Sequence, residues 1–404
     1  MRLLKMITDP SDKKLCVLHI IITVNKTYGG PVEGLHQSVL FRQKNNQYIE
    51  VVTLDSPDAE YLKDFPCKVN AIGPVHPKFG YTGKLRNWIK QNGKKFDVAV
   101  IHGLWNPTSI EGGQGCQSIG LPYLVFTHGM LDPWFKKSYP FKHFIKQLYW
   151  IYQGQVLQNA HKVLFTSREE ERLAHGVFWG YRYKSKVVAY AAADAIENSK
   201  DGVRKFQALL PELNGRPYLL YLSRIHEKKG CDLLIQAFAS VVKRSDLQLV
   251  MAGPCHDSYI IYLKNLVEKL GIQDRVHWPG MLKGDLKAAA FSSAEAFVLT
   301  SHQENFGIAV AEALAYGKSV LISNQINIFR EIQAGDAGIV GADTLEGAIQ
   351  ILQQWESLDS KQKADMARCA RDVYEKNFTV SSAAKDLTQN LLDAINSNKK
   401  VNCT

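Results

Sequence analysis

The stretch that most constrains the fold is residues 301–317, because it joins two apolar runs through a polar loop and a short helix. Ala-Phe-Val-Leu precedes it at 296–299, and Val-Leu-Ile follows it at 320–322. Its first five residues are polar, the rest are mostly apolar, and Gly317 stands where a glycine cap is expected to end a helix. Strand, loop, helix and strand in this order form a βαβ unit of a parallel sheet, in which ligands bind where strands give way to helices.

Two glutamates in this stretch are spaced to hold the two ends of an elongated ligand. Glu304 lies on the loop, and Glu312 lies on the helix eight residues later. That spacing is roughly 12 Å along a helix axis, about the length of a ribose plus a diphosphate. Between them, the helix start at Phe306, Gly307 and Ile308 offers N–H groups and a positive dipole end to an anion. The pattern predicts a sugar-nucleotide site; the alternative is that Glu304 only favours the helix start and Glu312 lies on an exposed stripe.

This element resembles the E-x7-E motif of retaining, nucleotide-sugar-dependent glycosyltransferases of family 4, which have the GT-B fold. The matching residues are Glu-Asn-Phe-Gly-Ile-(x)3-Glu at 304–312, followed by an alanine-rich helix. The resemblance implies an α/β chain of two Rossmann-like domains facing across a cleft, with the donor bound mainly by the second. It also implies that Glu304 holds the donor sugar, that Glu312 holds the ribose, and that Asn305 belongs to the same donor loop.

The length of the chain favours two domains, since 404 residues exceed what one ordinary core holds. We expect an acceptor-binding domain over 1–195 and a nucleotide-sugar-binding domain over 196–375. A C-terminal helix at 376–396 would return to the first domain, and 397–404 would be a tail. The family usually carries a Pro-Asn-Gly-like turn at the hinge, where this chain has Ala-Ala-Ala-Asp at 191–194.

A basic element opens the expected second domain. The run Tyr-Leu-Leu-Tyr-Leu-Ser at 218–223 predicts a strand that delivers Arg224, and Lys229 with Gly230 leads into the next helix. An arginine fork and a lysine point charge can clamp a diphosphate from two sides, although exposed lysines are also common on any surface. The S-R-(x)4-K-G pattern matches the pyrophosphate clamp of the resembled family. That match implies catalytic roles for Arg224 and Lys229 beside Glu304.

Four further positions are expected to contact the donor. An apolar strand at 15–24 leads into Gly29 and Gly30. In the family a Gly-Gly at this place approaches the donor phosphates and the acceptor; the alternative is a plain turn. Gly253 ends a strand on its ligand side, and Met281 lies in the loop whose backbone reads the nucleotide base in the family. The G-x-G-x-x-G dinucleotide pattern is absent, which argues against a nicotinamide cofactor.

Residues that follow two strands of the first domain are expected to face the acceptor. His102, Trp105 and Asn106 come after an apolar run, and they could equally be loop packing. His128 directly follows another strand and matches the family's histidine that faces the transferred sugar from the N-terminal domain. Asp132, four residues later, is expected to contribute to the acceptor pocket.

The net charge of +10 implies an anionic partner. Segment 134–152 is basic and aromatic, and no acidic residue occurs between Asp132 and Glu169. Such a helix can lie on an anionic membrane; the alternative is that its apolar face is core and its lysines are solvated. Aromatics interleaved with lysines can also bind single-stranded nucleic acid. No RNA-binding motif accompanies them, so nucleic acid is not the expected partner.

The location expected from the sequence is the cytoplasm, at the inner face of the cell membrane if the basic helix binds lipid. No apolar run approaches 18 residues, and the N-terminal residues are too polar for a secretory signal. The seven cysteines are scattered without a C-x-x-C pair, which is typical of reduced thiols.

These observations and the resemblance together predict a hexosyltransferase that moves a sugar from a UDP- or GDP-linked donor to a hydroxyl acceptor in surface-polysaccharide or lipid-linked glycan synthesis. The resemblance implies that the transfer retains the anomeric configuration. No cofactor is expected beyond the donor, and no metal, because no Asp-x-Asp pattern occurs. In the family the departing phosphate helps to deprotonate the acceptor, so no protein base is required. Three alternatives remain: a GT-B sugar-nucleotide epimerase, a glycosyltransferase with a soluble acceptor, and a non-catalytic basic module that binds nucleic acid.

Overall fold

The chain folds as two compact units. The computed structural model describes the following residues: 14–74, 81–134, 136, 139–197, 199–241, 244, 246–255 and 257–402. Unit 1 comprises the chain up to Ala189 together with the part from Ala383 onward, and unit 2 spans Tyr190–Ser382. The divisions therefore fall after residues 189 and 382, where the sequence analysis expected them after 195 and 375.

Unit 1 is built on a seven-stranded parallel sheet. In chain order its strands are β1 Cys16–Ile20, β2 Tyr48–Thr53, β3 Lys68–Ala71, β4 Val98–His102, β5 Tyr123–Phe126, β6 Lys162–Phe165 and β7 Ser185–Val187. Their order across the sheet is β3-β2-β1-β4-β5-β6-β7. The helices are α1 Gly30–Lys44, α2 Lys84–Asn92, α3 Pro107–Ser118, α4 Pro140–Asn159 and α5 Arg168–Ala174.

Unit 2 is built on a six-stranded parallel sheet. Its strands are β8 Tyr218–Leu222, β9 Gln248–Ala252, β10 Val276–Gly280, β11 Ala296–Leu299, β12 Val320–Ser323 and β13 Gly338–Gly341, in the spatial order β10-β9-β8-β11-β12-β13. Its helices are α6 Lys200–Leu209, α7 Cys231–Val241, α8 Asp257–Lys269, α9 Gly284–Ser293, α10 Ile308–Ala315, α11 Phe329–Ala334, α12 Leu345–Ser357 and α13 Ser360–Asn377. The last helix, α14 Val380–Asn402, belongs to unit 1 from Ala383 onward.

Both faces of the unit 1 sheet are covered, which explains why its central strands are apolar runs rather than alternating ones. Leu18 and Ile20 of β1 pack into one buried cluster, whereas Val17 of the same strand packs into a cluster on the other side. That second cluster includes Leu387 and Leu391 of α14. The C-terminal helix is therefore part of the unit 1 core.

The unit β11–α10–β12 is the βαβ element expected from residues 301–317. Helix α10 is buried over almost its whole surface, because every residue except Glu312 is apolar. The helix begins at Ile308, two residues later than its apolar run, since Gly307 has a φ of 74° that an α-helix does not accommodate. Strand β11 and most of helix α10 are thus part of the buried core, which fixes the two ends of the loop between them.

The basic aromatic segment expected at 134–152 corresponds mainly to α4, which begins at Pro140 and continues to Asn159. Phe135, Lys137 and Ser138 of that segment lie outside the described residues. Among the residues that the structure describes, we find no helix whose length and hydropathy would let it span a bilayer.

Candidate functional site

The expected donor residues of unit 2 follow two neighbouring strands. β8 and β11 lie side by side and run parallel, so the loops that leave their carboxyl ends meet at one edge of the sheet. The loop after β8 carries Arg224 and Lys229, and the loop after β11 carries Glu304. Parallel pairing alone therefore brings these three predicted residues to one place.

Lys229 and Glu304 form an ion pair in which the lysine Nζ donates to Glu304 Oε2. The lysine is buried at 7 % exposure, and the glutamate side chain is 24 % exposed. The pair is fixed by its backbone, because the amide of His302 donates to the carbonyl of Lys228 over 2.9 Å. A buried ammonium beside a carboxylate that reaches solvent can offer both a cation and an acceptor to a ligand.

The loops after β8 and β11 touch at Gly230, and the contact requires a glycine there. Its φ is 61°, and a Cβ at this position would lie 2.1 Å from the carbonyl oxygen of Thr300. The Thr300 hydroxyl also donates to the carbonyl of Gly230 over 2.8 Å. Only glycine allows this approach, so the close contact with Thr300 explains why a glycine follows Lys229 in the basic element.

The backbone of Glu304 is held on both sides by the loop after β12. Its amide donates to the carbonyl of Gln325 over 2.9 Å, and its carbonyl accepts from the amide of Asn327 over 3.1 Å. The Asn327 side chain donates to Asn305 Oδ1 over 3.5 Å. The carboxylate of Glu304 therefore projects from a loop with little freedom to move, which is what a site that positions a sugar requires.

The start of α10 lies between the two glutamates. No side chain caps this helix, and Gly307 occupies the N-cap position. Phe306 is buried, with its ring 5.1 Å from that of Tyr190 and 5.5 Å from that of Phe378. Phe306 thus anchors the loop in the core, and a helix start without a side-chain cap can bind an anion with its first amides.

Glu312 has a partner that the sequence did not suggest. Lys287 of α9 donates to Glu312 Oε1 over 2.6 Å, which offsets the cost of a carboxylate that is only 12 % exposed. The two residues are 25 positions apart, and Lys287 lies in no motif that we recognised. Each glutamate of the expected donor site is therefore paired with one lysine.

The remaining donor candidates of unit 2 occupy different surroundings. Arg224 is exposed, and within the described part of the chain its guanidinium has no acidic partner. Gly253 has a φ of 147°, and its amide donates to the carbonyl of Gly280 over 2.8 Å. Met281 directly follows Gly280 and is exposed. Their contacts with a nucleotide stay predictions.

In unit 1 the expected glycine turn lies at the start of α1. Gly29 has a φ of 92° and is the N-cap, and Gly30 is the first helical residue, followed by Pro31. A Cβ on Gly29 would meet no atom within 4 Å, so this turn needs glycine for its backbone angle and not for space.

His102 and His128 are joined by a hydrogen bond. His102 Nδ1 and His128 Nε2 lie 3.0 Å apart, and the other nitrogen of His102 lies 2.9 Å from Nδ1 of His19. The rings of His102 and His128 both stack on Phe126. Because both nitrogens of His102 bond other histidines, an acceptor would have to contact some other part of this residue.

A buried carboxylate that sequence reasoning missed holds the loop of His128. Glu170 accepts hydrogen bonds from the Thr127 hydroxyl and the Gly129 amide, each over 2.6 Å. It also accepts from the amide and the hydroxyl of Thr166, over 2.7 and 2.8 Å. These four donors satisfy the carboxylate and hold His128 at a φ of 49°. In the sequence, Glu170 lies three residues after Ser167, the N-cap of α5, and this spacing is typical of a helix start only.

The other acceptor candidates also make internal contacts. The Trp105 indole donates to the carbonyl of Met130 over 3.0 Å, and Asn106 caps α3 by accepting from the Ser109 amide over 3.1 Å. Asp132 Oδ1 accepts from the Trp134 amide over 2.8 Å. A role in acceptor binding stays a prediction for all three. Asp132 lines a cavity with the following neighbours: Met130, Tyr139, Lys142, His143, Lys146, Val177 and Phe178.

That cavity is positively charged. Burial lowers the pKa of Lys146, and the charge of Lys142 lowers it further. The Lys146 ammonium lies 4.7 Å from the centre of the Trp105 ring. In the described part of the chain, no group of three or more His, Cys, Asp or Glu side chains is arranged to hold a metal ion.

Two family descriptions match successive parts of the chain. Residues 45–191 match a glycosyl transferase 4-like domain, and residues 204–373 match the glycosyl transferases of group 1. Together these regions cover well over half of the sequence, one match for each expected domain.

Several characterised and uncharacterised glycosyltransferases are similar to this chain. The GDP-mannose:cellobiosyl-diphosphopolyprenol alpha-mannosyltransferase of Xanthomonas campestris is 25% identical over 372 residues, which is 88% of this chain and 92% of that protein. An uncharacterized glycosyltransferase of Methanocaldococcus jannaschii is 29% identical over 173 residues, 42% of this chain and 43% of that protein. The alpha-D-kanosaminyltransferase of Streptomyces kanamyceticus is 30% identical over 159 residues, 38% of this chain and 40% of that protein. The chain thus spans about two fifths of the length of the last two relatives.

Solved structures share the architecture. Anabaena HepE, crystallised with UDP and glucose, superposes with a TM-score of 0.75 at 18% identity over 93% of this chain and 99% of its own. WaaG, a glycosyltransferase involved in lipopolysaccharide biosynthesis, superposes with a TM-score of 0.65 at 16% identity over 91% of this chain and 98% of its own. At such identities the likeness shows a common fold.

Proposed function

Because the chain belongs to the glycosyl transferases by both of its domain matches and has the GT-B fold, we propose that it moves a hexosyl group from a nucleoside-diphosphate sugar to a hydroxyl acceptor with retention of configuration. The family and the fold expected from the sequence are confirmed. The donor, the acceptor and the stereochemistry are our proposal.

One observation carries the proposal: two lysine–glutamate pairs lie on either side of an uncapped helix start. Lys229 with Glu304 precedes α10, and Lys287 with Glu312 joins α9 to α10. A sugar nucleotide has hydroxyl groups at both ends and a diphosphate between them. In our proposal Glu304 accepts hydrogen bonds from the sugar, Glu312 accepts them from the ribose, and the helix start binds the diphosphate.

The chemistry that we propose is stabilisation of the leaving group. Negative charge develops on the diphosphate as the glycosidic bond breaks, and fixed positive groups lower the barrier to that step. Lys229 is buried and its backbone is held in place, so its ammonium has to move little to stabilise the leaving group. Arg224 and the amides of α10 would add to the positive potential. The acceptor hydroxyl would lose its proton to the departing phosphate on the same face of the sugar.

The donor site is tested by a thermal-shift titration with UDP, GDP and ADP. We expect one diphosphate to raise the melting temperature, because a ligand at a hundred times its Kd stabilises the fold by about 2.7 kcal/mol. Glu312→Ala should lose that shift, whereas the exposed Glu268→Ala in the same unit should keep it. If none of the three diphosphates stabilises the wild-type protein, the donor site is wrongly assigned.

For the acceptor, we propose a lipid-linked substrate at an anionic membrane surface on the cytoplasmic side. Helix α4 exposes large apolar side chains beside lysines: Phe141 is 75% exposed, and Phe144, Leu148 and Ile151 are also exposed. Trp179, whose carbonyl accepts from the Gln147 side chain, extends this surface. Apolar side chains flanked by cations are what an amphipathic helix needs to bind lipid headgroups. The relative from Xanthomonas campestris, named for a diphosphopolyprenol acceptor, is consistent with this proposal.

Sedimentation with liposomes tests the membrane surface. We expect the wild-type protein to sediment with phosphatidylglycerol vesicles and not with phosphatidylcholine vesicles. Phe141→Ser with Phe144→Ser should weaken binding by about tenfold or more, because two apolar side chains no longer enter the lipid. Ile261→Ser with Tyr262→Ser, a pair on α8 that is also exposed, serves as the control. Failure of the wild-type protein to sediment would favour a soluble acceptor.

A further inference from the structure

Behind His128, a line of hydrogen-bonded side chains leads into the core of unit 1 and ends at a buried arginine. We propose that Arg42, acting through two buried histidines, fixes His128 in the neutral tautomer that carries its proton on Nδ1. The Nδ1–H group would then donate a hydrogen bond to the transferred sugar, so this inference rests on the proposed function and on the role that the family resemblance implies for His128. Arg42 would be a positioning residue and not a catalytic one.

The contacts form one unbroken series. Arg42 Nη1 lies 3.0 Å from His19 Nε2, and His19 Nδ1 lies 2.9 Å from His102 Nε2. His102 Nδ1 lies 3.0 Å from His128 Nε2. The four residues come from α1, β1, the end of β4 and the loop after β5. Since β1, β4 and β5 are neighbours in the sheet, their parallel pairing sets the histidines in a row.

The direction of these hydrogen bonds follows from the chemistry of the first member. A guanidinium only donates, so His19 Nε2 must accept and the proton of that ring must lie on Nδ1. His19 then donates to His102 Nε2, which places the proton of His102 on Nδ1. His102 donates in turn to His128 Nε2, which leaves Nδ1 of His128 as the protonated nitrogen. One fixed cation thereby sets three tautomers.

The surroundings keep the rings neutral. Burial lowers the pKa of His19, and the charge of Arg42 lowers it further. Burial also lowers the pKa of His102, helped by both neighbouring histidines and by Arg42, and it lowers the pKa of His128 to about 3. A second proton on any of the three rings would set two donors against each other in this series. Neutral rings with defined tautomers are the arrangement that satisfies every contact.

Arg42 lies in a position that core packing alone does not explain. It is 1% exposed, and no acidic side chain in the described part of the chain pairs with it. Its Nε donates to Gln47 Oε1 over 2.9 Å, and the Gln47 amide donates to the Thr388 hydroxyl over 2.9 Å. Burial lowers the pKa of Arg42 to about 10, so the group is still cationic at neutral pH. An unpaired buried charge is costly, so we expect it to have a use.

A purely structural role would leave the tautomers unspecified. Without Arg42 the same three rings could bond in the opposite direction, with every proton moved to Nε2. His128 would then offer an unprotonated Nδ1, and a donor to the sugar would become an acceptor. The tautomer of His128 therefore distinguishes the proposal from simple packing.

Nitrogen-15 NMR of protein labelled at its 12 histidines measures the tautomer directly, with His128 assigned from a His128→Gln sample. We expect the proton of His128 on Nδ1 in the wild-type protein, in Arg42→Lys, which keeps a cationic donor, and in Thr388→Val at the far end of the contacts. Arg42→Met should give a mixed or reversed tautomer. A wild-type His128 protonated on Nε2 would overturn the proposal without any variant, so the test does not depend on whether Arg42→Met folds.

Transfer kinetics test the consequence. Arg42→Met is expected to lower kcat/KM by about 10- to 100-fold, as loss of a group that orients a functional histidine does in other sites. Arg42→Lys should restore much of the rate, Thr388→Val should be unaffected, and the nucleotide thermal shift should persist in all of them. An altered tautomer with an unchanged rate would refute the role in transfer. Absence of transferase activity in the wild type would instead count against the proposed function, while the NMR result would still decide the tautomer.

Discussion

Replacing Lys229 by methionine is expected to lower kcat by about 10²- to 10³-fold, the usual cost of removing one preorganised donor to a developing negative charge. Methionine keeps most of the length of the lysine stem, so the change removes the ammonium and little packing. The lysine is 7% exposed, so water cannot easily replace its charge. Release of nucleoside diphosphate, or transfer of labelled sugar, measures the effect.

A second variant separates this effect from a loss of stability. Lys229→Met leaves Glu304 without the ammonium that its carboxylate contacts in the wild-type protein. The double variant Lys229→Met with Glu304→Gln removes that unpaired charge, so it should regain stability without regaining activity. Lys264→Met, an exposed lysine on α8, is the matched control and should behave like wild type. If Lys229→Met keeps a rate close to that of the wild type, the ammonium does not assist the leaving group.

Gly253→Ala is expected to destabilise the fold by about 3 kcal/mol or more, a large share of the 5–15 kcal/mol typical of a domain. The new Cβ would lie 1.8 Å from the carbonyl oxygen of Ser223 and 2.7 Å from its carbon. No side-chain rotation relieves a clash with backbone, so the ends of β8 and β9 would have to separate. Chemical denaturation monitored by circular dichroism measures the free energy of unfolding.

Gly271→Ala is the control for this change. Gly271 also has a positive φ, of 66°, but a Cβ there would meet no atom within 4 Å. It should cost only the backbone strain of about 1–2 kcal/mol. Equal losses of stability in the two variants would show that the contact with Ser223 is not the reason for a glycine at 253. Because Arg224 follows Ser223 directly, a folded Gly253→Ala protein should also bind nucleotide more weakly.

Much of the way in which the candidate residues of unit 2 come together could be predicted, because the information is local. Apolar runs define the strands, and parallel pairing brings their ends together. Glu304 and Lys229 of the motifs lie in the loops that leave those ends, whereas Glu312 lies on α10. The start of α10 was expected two residues too early, since an apolar run does not reveal the positive φ of Gly307. Short patterns predict where an element lies better than where it begins.

Contacts between residues distant in the chain could not be predicted. His19 was part of an apolar strand run, and its bond to His102 joins positions 83 apart. Arg42 lies in the last turn of α1, where a basic side chain is usually solvated and favours the helix dipole, yet it is buried. A buried strand shows the same apolar run in the sequence whether or not one of its side chains makes a hydrogen bond to a distant residue. Only the three-dimensional pairing reveals the partner.

Residues at strand ends are ambiguous for a related reason. Asn106 follows β4, as an acceptor-binding residue would, and it caps α3. A helix cap and a ligand contact both require a polar side chain at the carboxyl end of a strand. The sequence pattern is therefore identical for the two roles.

The pairing of each donor-site glutamate with its own lysine has a consequence for selectivity. A small anion such as inorganic diphosphate would compete with Glu304 or Glu312 for the ammonium of Lys229 or Lys287, and it would offer the carboxylate no hydrogen bond in return. In our proposal a sugar nucleotide brings hydroxyl groups that donate hydrogen bonds to the same carboxylates. If the site binds as we propose, these lysine–glutamate pairs favour a nucleotide, whose hydroxyl groups can bond the carboxylates, over inorganic diphosphate, which has none.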